Sequence, residues 1–277
     1  MPPRPCVAAA GRRTPWDVAV VVPARDEVEL LPRCLASIVA AAGSVPAPGR
    51  THIVVVADRC VDDTEAAAAA ALASANASIL RARCTSVGSV RQLGVDAALR
   101  MWPPDPTRRV WIAMTDADSV VPPDWLAYQL RAAARGWDAV AGAVTVSDWE
   151  DRSRRTSEAL VAYRRDQRRA GTWSVHGANL GVRADVLAAV GGIPAVVHSE
   201  DAGTVALLER SSRAVLRTSE LVVTTSARRS WRAPGGFSTL LDQFGAAAGL
   251  MSGPAERLDD EAILDVPQHA PKRPVTP

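Results

Sequence analysis

The sequence lacks a hydrophobic run long enough to cross a membrane. Its longest stretch without a charged residue, 34–49, contains both glycine and proline, whereas a membrane-spanning helix needs about 20 consecutive, mainly apolar residues. The first residues, 1–16, also lack the long apolar core of a signal peptide. We therefore expect a cytoplasmic protein in which any membrane contact is peripheral, at the inner face. The basic segment 152–169 is a candidate for such contact, although a solvated face is the simpler interpretation.

Cysteine is scarce in this sequence. The four cysteines, Cys6, Cys34, Cys60 and Cys84, are irregularly spaced, and no Cys-x-x-Cys pair or matching histidine spacing occurs. This pattern argues against a zinc-binding module. A disulfide framework is equally unexpected in a chain of 277 residues, and reduced thiols are the simpler interpretation.

There is also little net charge, since 32 basic residues stand against 30 acidic ones and leave a formal net charge of +2. A dedicated DNA- or RNA-binding protein usually carries a concentrated positive excess. We therefore expect no nucleic-acid partner. With 48% hydrophobic and 22% charged residues, the composition is that of an ordinary globular protein.

Short β-branched runs alternate with segments of helical periodicity through the first half of the sequence. Runs of this kind are typical of strands buried on both faces in a parallel sheet. The alternation predicts an α/β protein with an open, mixed but mostly parallel sheet that is flanked by helices on both faces. The predicted strands are 17–23, 52–58, 78–83 and 109–115, and the predicted helices are 27–42, 62–75 and 87–101.

The second half of the sequence is less regular. The pattern predicts a strand at 139–146 and helices at 125–135, 152–169, 184–190, 201–210 and 237–248. It also predicts further short strands, without giving their positions. We expect one domain at 16–250, with flexible tails at 1–15 and 251–277 that are punctuated by proline.

Polar residues follow the predicted strands, where ligands gather in open parallel sheets. Arg25, Asp26 and Glu27 follow the first strand, and DRCVDDT at 58–64 follows the second. Two of these groups have simpler interpretations. The segment 62–65 also fits a helix cap, and Asp26 with Glu27 also suits a helix N-terminus.

The fourth predicted strand is followed by Asp116 and Asp118, which one alanine separates. Two neighbouring carboxylates repel each other unless a cation or hydrogen-bond donors compensate them. Oxygen ligands in this arrangement suit Mg²⁺ or Mn²⁺ with bound phosphates. We therefore expect a divalent metal ion here.

Six sequence elements occur in a characteristic order. They are PARDE at 23–27, VVADRCVDDT at 55–64, GSVRQLG at 88–94, DAD at 116–118, GANLGVR at 177–183 with VGG at 190–192, and ED at 200–201. In this order and spacing the chain resembles family 2 glycosyltransferases of the GT-A fold over about residues 18–244. It departs from the family pattern at Ala57, which replaces the first of two aspartates, and at Gln92, which replaces asparagine.

The resemblance implies an enzyme: a metal-dependent, inverting glycosyltransferase of the hexosyltransferase type. Such an enzyme moves a sugar from a nucleotide-diphosphate sugar donor to an acceptor hydroxyl. The donor would bind to 16–120 and the acceptor to 121–250. Asp201, with Glu200 beside it, would be the catalytic pair, and Asp201 would act as the general base.

The resemblance also implies which residues bind the metal, the donor and the acceptor. Asp118, with Asp116, would hold Mg²⁺ or Mn²⁺. Asp58 would contact the nucleotide, and Arg91 would approach the diphosphate, with Gly88 allowing close backbone contact. The donor set is Pro23, Arg25, Glu27, Asp58, Arg91 and Asp116, and the acceptor set is His176, Asn179, Arg228 and Trp231. The acceptor is a small molecule, a lipid or a glycan, and the sequence does not distinguish these.

Several of these residues have structural alternatives. His176 could be an ordinary hydrogen-bonded histidine, Arg228 a solvated turn residue and Trp231 a core residue. Glu200 or Asp201 could simply cap the helix that follows them.

Other functional classes fit the sequence less well. A nucleotidyltransferase would need a glycine-rich loop after the first strand, and 23–27 contains no glycine. A dinucleotide-dependent oxidoreductase would need G-x-G-x-x-G, which is absent there. A catalytically degenerate sugar-nucleotide-binding protein would keep Asp58 and Asp118 while losing Asp201, yet all three are present.

Overall fold

The computed structural model describes residues 15–47, 49–102, 109–147, 154–169 and 174–226. The strands in these ranges are β1 (Trp16–Ala24), β2 (Thr51–Asp58), β3 (Ala77–Ala82), β4 (Arg109–Met114), β5 (Ser119–Val120), β6 (Ala139–Ser147), β7 (Leu180–Arg183) and β8 (Val215–Ser226). The helices are α1 (Leu31–Ala42), α2 (Thr64–Ala71), α3 (Val87–Arg100), α4 (Trp125–Ala134), α5 (Arg154–Arg169), α6 (Ala184–Ala189) and α7 (Glu200–Arg210), with a 3₁₀ helix at Gly177–Asn179. No helix within these ranges is long and apolar enough to cross a membrane.

The eight strands form one sheet in the order β3-β2-β1-β4-β7-β6-β8-β5. The pairs β1 with β2, β1 with β4, β2 with β3 and β6 with β8 are parallel. The pairs β4 with β7, β6 with β7 and β5 with β8 are antiparallel. The predicted α/β class with a mixed, mostly parallel sheet is therefore confirmed.

Two hydrophobic cores lie on opposite faces of the sheet. On β1, Val18, Val20 and Val22 pack into one core with α1 and α4, and Ala19 and Val21 pack into the other with α3, α6 and α7. All five side chains are fully buried. Because the strand is covered on both faces, its sequence is a continuous apolar run and does not alternate.

The start of α1 differs from the sequence prediction. The helix begins at Leu31, four residues after the predicted start at 27. Asp26 adopts a positive φ of 51°, which is outside the right-handed helical region. The backbone N–H of Glu27 donates to Thr64 Oγ1 at 2.7 Å. These contacts hold the chain in a turn before the helix starts, and the periodicity of the apolar residues could not show this.

Other differences lie at the ends of α2 and in the second half. α2 spans eight residues and is shorter than the predicted helix at 62–75. The strands β5, β7 and β8, which the pattern did not locate, complete the sheet beyond β4. The predicted helix at 237–248 and the predicted tail at 251–277 lie outside the described residues, as does the predicted tail at 1–15 except for its last residue.

The carboxyl ends of β1, β2 and β4 meet at one edge, because these strands are parallel neighbours. The loops that follow β1 and β2 are joined by hydrogen bonds: the N–H of Val61 donates to Asp26 Oδ1 at 2.7 Å, and the N–H of Val28 donates to Asp62 Oδ2 at 3.3 Å. The polar clusters that follow the first two strands are therefore bound to each other.

Gly94, in the middle of α3, is packed against β1 and β2. A Cβ at this position would lie 2.5 Å from Val21 Cγ1 and 3.1 Å from Val56 Cγ2. Alanine in place of glycine inside a helix normally gains about 1 kcal/mol, whereas overpacking a core costs about 1–3 kcal/mol. We expect the second effect to dominate, so Gly94→Ala should lower the free energy of unfolding measured by denaturant titration.

The matched control is Gly203→Ala in α7, where the new Cβ would lie 3.4 Å from Pro194 Cγ, an ordinary contact. This substitution should raise the free energy of unfolding or leave it unchanged. If both substitutions stabilise the protein equally, α3 does not pack against the sheet as closely as described.

Candidate active site

The side chain of Arg91, on α3, is the point at which the two acidic motifs meet. Its Nε donates to Glu200 Oε1 at 2.9 Å, and its Nη2 donates to Asp116 Oδ1. Only 3% of this side chain is exposed to solvent. Three segments that are far apart in sequence, 88–94, 116–118 and 200–201, are therefore brought together by one guanidinium group.

The charge of Arg91 is balanced by its neighbours. Burial works against the charged guanidinium, but the carboxylates of Asp116 and Glu200, with a further contribution from Asp201, outweigh it. The pKa of Arg91 is consequently raised above its ordinary value. The guanidinium of Arg91 therefore stays charged. Through its contact with Asp116 it offsets the repulsion that we expect between Asp116 and Asp118.

Gly177, at the start of the 3₁₀ helix, packs directly against this guanidinium. A Cβ on Gly177 would lie 2.5 Å from Arg91 Nη2 and 3.3 Å from Glu200 Oε1. The N–H of Gly177 donates to Asp201 Oδ2 at 2.7 Å. The absence of a side chain at this position thus lets one backbone segment lie between Arg91 and Asp201.

Asp201 is held by two backbone groups at the start of α7. Its Oδ2 accepts from Gly177, and its Oδ1 accepts from the N–H of Ala202 at 2.7 Å. Burial and the neighbouring Glu200 charge raise the pKa of Asp201 to about 6, although both hydrogen bonds and Arg91 favour its charged form. This carboxylate can take up or release a proton close to neutral pH. Asp201 does lie at the start of α7, but capping that helix does not account for its hydrogen bond with Gly177.

The Asp116-Ala-Asp118 motif lies between β4 and β5. The side chain of Asp116 is 41% exposed, and its carbonyl oxygen accepts a hydrogen bond from Cys34 Sγ at 3.3 Å. Asp118 Oδ1 accepts from Thr225 Oγ1 at 3.2 Å and from Ser119 Oγ at 3.4 Å. Oxygen ligands that are oriented by hydroxyl groups and partly open to solvent are chemically suited to Mg²⁺ or Mn²⁺.

Asp58, at the end of β2, is buried and accepts a hydrogen bond from the N–H of Cys84 at 2.7 Å. It fixes the segment that follows β3. Pro23 is half-buried in β1, Glu27 is buried after it, and Arg25 is exposed. These predicted donor residues lie at the edge that β1 and β2 share.

A further group of possible ligand atoms lies in the same loops, on Asp26, Cys60 and Asp62 within 4.8 Å of one another. Their atoms accept hydrogen bonds from within these loops. Asp26 Oδ1 accepts from Val61, Cys60 Sγ from the N–H of Asp26 at 3.5 Å, and Asp62 Oδ1 from the N–H of Thr64 at 3.0 Å. Their arrangement is thus explained by the turn itself.

Two residues that the sequence assigns to the diphosphate, Arg91 and Gly88, have close contacts within the protein. Arg91 faces Asp116 and Glu200 and is closed off from solvent. A Cβ on Gly88 would lie 1.9 Å from the carbonyl oxygen of Pro194. Glycine is therefore required at this position by the neighbouring loop, and the close approach of a phosphate stays a prediction.

Asn179, predicted to contact the acceptor, is a structural residue in this fold. It is 1% exposed. Its Nδ2 donates to the carbonyl oxygens of Ala143 and Leu221 at 2.7 and 2.9 Å, and its Oδ1 accepts from Trp125 Nε1 at 3.0 Å. With these bonds it ties β6, β8 and α4 together and has no accessible polar group for a ligand.

The remaining predicted acceptor residues are placed as follows. His176 is half-buried next to Gly177, and its carbonyl oxygen accepts from the N–H of Asn179 at 2.9 Å. Arg228 and Trp231 lie outside the described residues.

Sequence reasoning missed the contribution of Thr225 and the reason for Gly177. Thr225 lies on β8, the neighbour of β5, and contacts Asp118 from a position 107 residues later in the chain. No local pattern signals such a contact. Gly177 was part of the quoted GANLGVR segment, and its role depends on Arg91, which only the fold places beside it.

Comparisons with known proteins agree with this fold. The sequence model of Glycosyl transferase family 2 matches residues 19–190. The fold is similar to that of mannosyltransferase PcManGT from Pyrobaculum calidifontis in complex with GDP-Man and Mn²⁺, with a TM-score of 0.59, 19% identity, and coverage of 88% of this chain and 66% of that chain.

It is also similar to S. aureus TarS 1-349 in complex with UDP-GlcNAc, with a TM-score of 0.58, 12% identity, and coverage of 83% of this chain and 66% of that chain. The match thus spans 66% of each of these two chains. No curated protein matches the chain significantly. The fold is that of GT-A glycosyltransferases and the matched sequence segment covers more than half of the chain, so this chain belongs to glycosyl transferase family 2.

Proposed function

We propose that the protein is a metal-dependent glycosyltransferase that moves a sugar from a nucleotide-diphosphate sugar to an acceptor hydroxyl with inversion at the anomeric carbon. The observation that carries this proposal is the cluster around Arg91. It joins Asp116 of the metal motif to Glu200 and, through Gly177, to Asp201, a carboxylate with a pKa of about 6. Donor activation and proton removal need these two kinds of carboxylate in one site.

In this proposal Asp118 and Asp116 hold Mg²⁺ or Mn²⁺. The fit rests on their oxygen ligands, on the partial exposure of Asp116 and on the hydroxyl groups of Ser119 and Thr225 that orient Asp118. When bound, a divalent cation neutralises the negative charge that develops on the departing nucleoside diphosphate.

Asp201 is the proposed general base. Its pKa of about 6 leaves it ionised at neutral pH while it is still basic enough to accept a proton from an acceptor hydroxyl. The two backbone N–H groups that hold it fix the direction of the carboxylate. Glu200, in contrast, is buried on Arg91, and we assign it to holding that residue in place of a direct part in proton transfer.

For the donor, we propose that the nucleotide lies along the shared edge of β1 and β2, against Pro23, Arg25, Glu27 and Asp58. The similar structures carry a guanine nucleotide sugar in one case and a uracil nucleotide sugar in the other, and both bases are candidates here. The acceptor side is assigned to 121–250, where His176, Arg228 and Trp231 remain candidates. A cytoplasmic location and peripheral membrane contact stay predictions.

The alternative functions have less support. PARDE, at the end of β1, has no glycine with which to cradle the phosphates in the manner of a nucleotidyltransferase. A degenerate binding protein would not need a rigidly held carboxylate with a raised pKa, and Asp201 is such a group.

The metal assignment is tested by Asp118→Ala. Because Asp118 is the proposed principal ligand, this variant should lose the increase in UDP or GDP affinity that Mn²⁺ produces in the wild type, measured by isothermal titration calorimetry. Asp124→Ala is the matched control, since Asp124 is an exposed carboxylate that pairs with Arg131 at 3.5 Å. An Asp118→Ala variant that keeps the full effect of Mn²⁺ would refute the assignment.

The base assignment is tested by the transfer of sugar from UDP-GlcNAc and GDP-mannose to water or an added acceptor, measured as release of nucleoside diphosphate. Asp201→Asn should reduce turnover ~10²-fold or more, the usual scale for removal of a general base. In the wild type, kcat/KM should fall as the pH drops through about 6, because the carboxylate of Asp201 must be ionised to accept a proton.

The control for this experiment is nucleotide binding. Both oxygens of Asp201 accept a backbone N–H, and asparagine can satisfy only one of them. The proposed nucleotide edge of β1 and β2 does not include Asp201, so in spite of this lost bond we expect retained UDP or GDP affinity and a native circular dichroism spectrum in Asp201→Asn. A rate that is flat between pH 5 and 7, or near wild-type turnover in the variant, would remove Asp201 from the mechanism.

A further inference from the structure

The guanidinium of Arg91 contacts groups from both halves of the site. Arg91 belongs to α3, which packs on β1 and β2, the strands of the donor edge. Its two polar contacts are Asp116, in the metal motif, and Glu200, the first residue of α7. A single planar group therefore binds one carboxylate of the metal motif and one at the start of α7.

We propose that Arg91 is a positioning residue for the transfer reaction and does not bind the diphosphate. It fixes Asp116 for the metal ion and Glu200 at the start of α7, so that the metal site and Asp201 keep a constant separation. This inference rests on the proposed function, since it concerns the metal site and base assigned there.

Burial is the first argument. The Arg91 side chain is 3% exposed, whereas that of Asp116 is 41% exposed. A ligand that enters the site can therefore reach Asp116 but meets little of the arginine. Asp116 is bound to Arg91 through Oδ1, and a carboxylate held through one oxygen can offer the other to a metal ion. Groups that orient a metal ligand in this way typically alter metal affinity ~10–100-fold when they are removed.

The geometry of the side chain is the second argument. Arginine presents a rigid, planar fork of donors, while lysine presents a compact point charge. Nε and Nη2 of Arg91 serve different carboxylates, Glu200 and Asp116. Lysine would keep the positive charge but could not hold both partners in this arrangement.

Gly177 is the third argument, because it links the position of Arg91 to that of Asp201. A Cβ on Gly177 would lie 2.5 Å from Arg91 Nη2, and the N–H of the same residue donates to Asp201 Oδ2 at 2.7 Å. A displaced guanidinium would therefore disturb the segment that holds the base. The third nitrogen, Arg91 Nη1, is buried and has no partner within the described residues. A phosphate contact through Nη1 is the competing explanation that an experiment must separate.

The experiment is calorimetric titration of Arg91→Lys with UDP and GDP, first in EDTA and then with Mn²⁺. If Arg91 only positions Asp116, nucleotide affinity in EDTA should stay within about twofold of the wild type. The affinity for Mn²⁺ in the presence of nucleotide should fall ~10–100-fold. A similar loss of nucleotide affinity with and without Mn²⁺ would instead indicate direct contact with the diphosphate and would overturn the proposal.

Gly177→Ala tests the same proposal without removing a charge. Its new methyl group should displace the guanidinium and reproduce the loss of Mn²⁺ affinity seen in Arg91→Lys. Gly203→Ala is the matched control, because it adds the same methyl group within α7 at an ordinary contact distance from Pro194. This control should bind Mn²⁺ like the wild type. Wild-type Mn²⁺ affinity in Gly177→Ala would contradict the proposal.

A stability measurement tests the pairing without any ligand. Arg91→Met alone leaves the buried Glu200 without its partner and should lower the Tm, because an uncompensated buried charge is strongly destabilising. Adding Glu200→Met should recover at least half of that loss. No recovery in the double variant would show that the two residues are not coupled. If the wild type binds neither UDP nor GDP, the proposed function fails, and this measurement alone decides whether Arg91 holds Glu200.

Discussion

The pairing of one buried arginine with carboxylates from two distant segments governs the rest of the site. A guanidinium with 3% of its surface exposed requires compensation, because an isolated charge in a protein interior is very unfavourable. Asp116 and Glu200 provide that compensation. The loop after β4 and the start of α7 must therefore both reach α3, and this requirement fixes where the metal motif and the proposed base lie.

Burial raises the pKa of Asp201, and the negative charge of its sequence neighbour Glu200 adds to this effect. Glu200 is itself held in place by its ion pair with Arg91. The backbone bonds from Gly177 and Ala202 counteract this effect but do not cancel it. The ion pair of Arg91 with Glu200 thus also shapes the proton affinity of the proposed base. The proposed metal site and the proposed base therefore both depend on the charges around Arg91.

Much of the fold could be predicted from sequence because the relevant signals are local. The apolar runs of β1, β2 and β4 and the helical periodicity of α3 each depend on residues a few positions apart. The strands β7 and β8 were not located, since their pairing with β4 and β6 depends on distant residues. The order of the motifs along the sequence identifies their residues. It does not reveal their contacts, such as that of Arg91 with Glu200, which lies 109 positions later. Asn179 looks like a ligand-binding residue in sequence, yet it joins strands and a helix in the interior.

In the proposed site, Arg91 holds the Asp116-Ala-Asp118 motif and the segment of Asp201 together from behind the ligand. The decisive experiment is a crystal structure with Mn²⁺ and either UDP or GDP, in which the metal is located by its anomalous scattering. We expect an anomalous peak in contact with Asp118 and Asp116, a nucleotide along the β1–β2 edge, and Arg91 still bound to Glu200 and Asp116. A metal ion bound elsewhere, or a guanidinium that has turned onto the diphosphate, would show that the site is organised in another way.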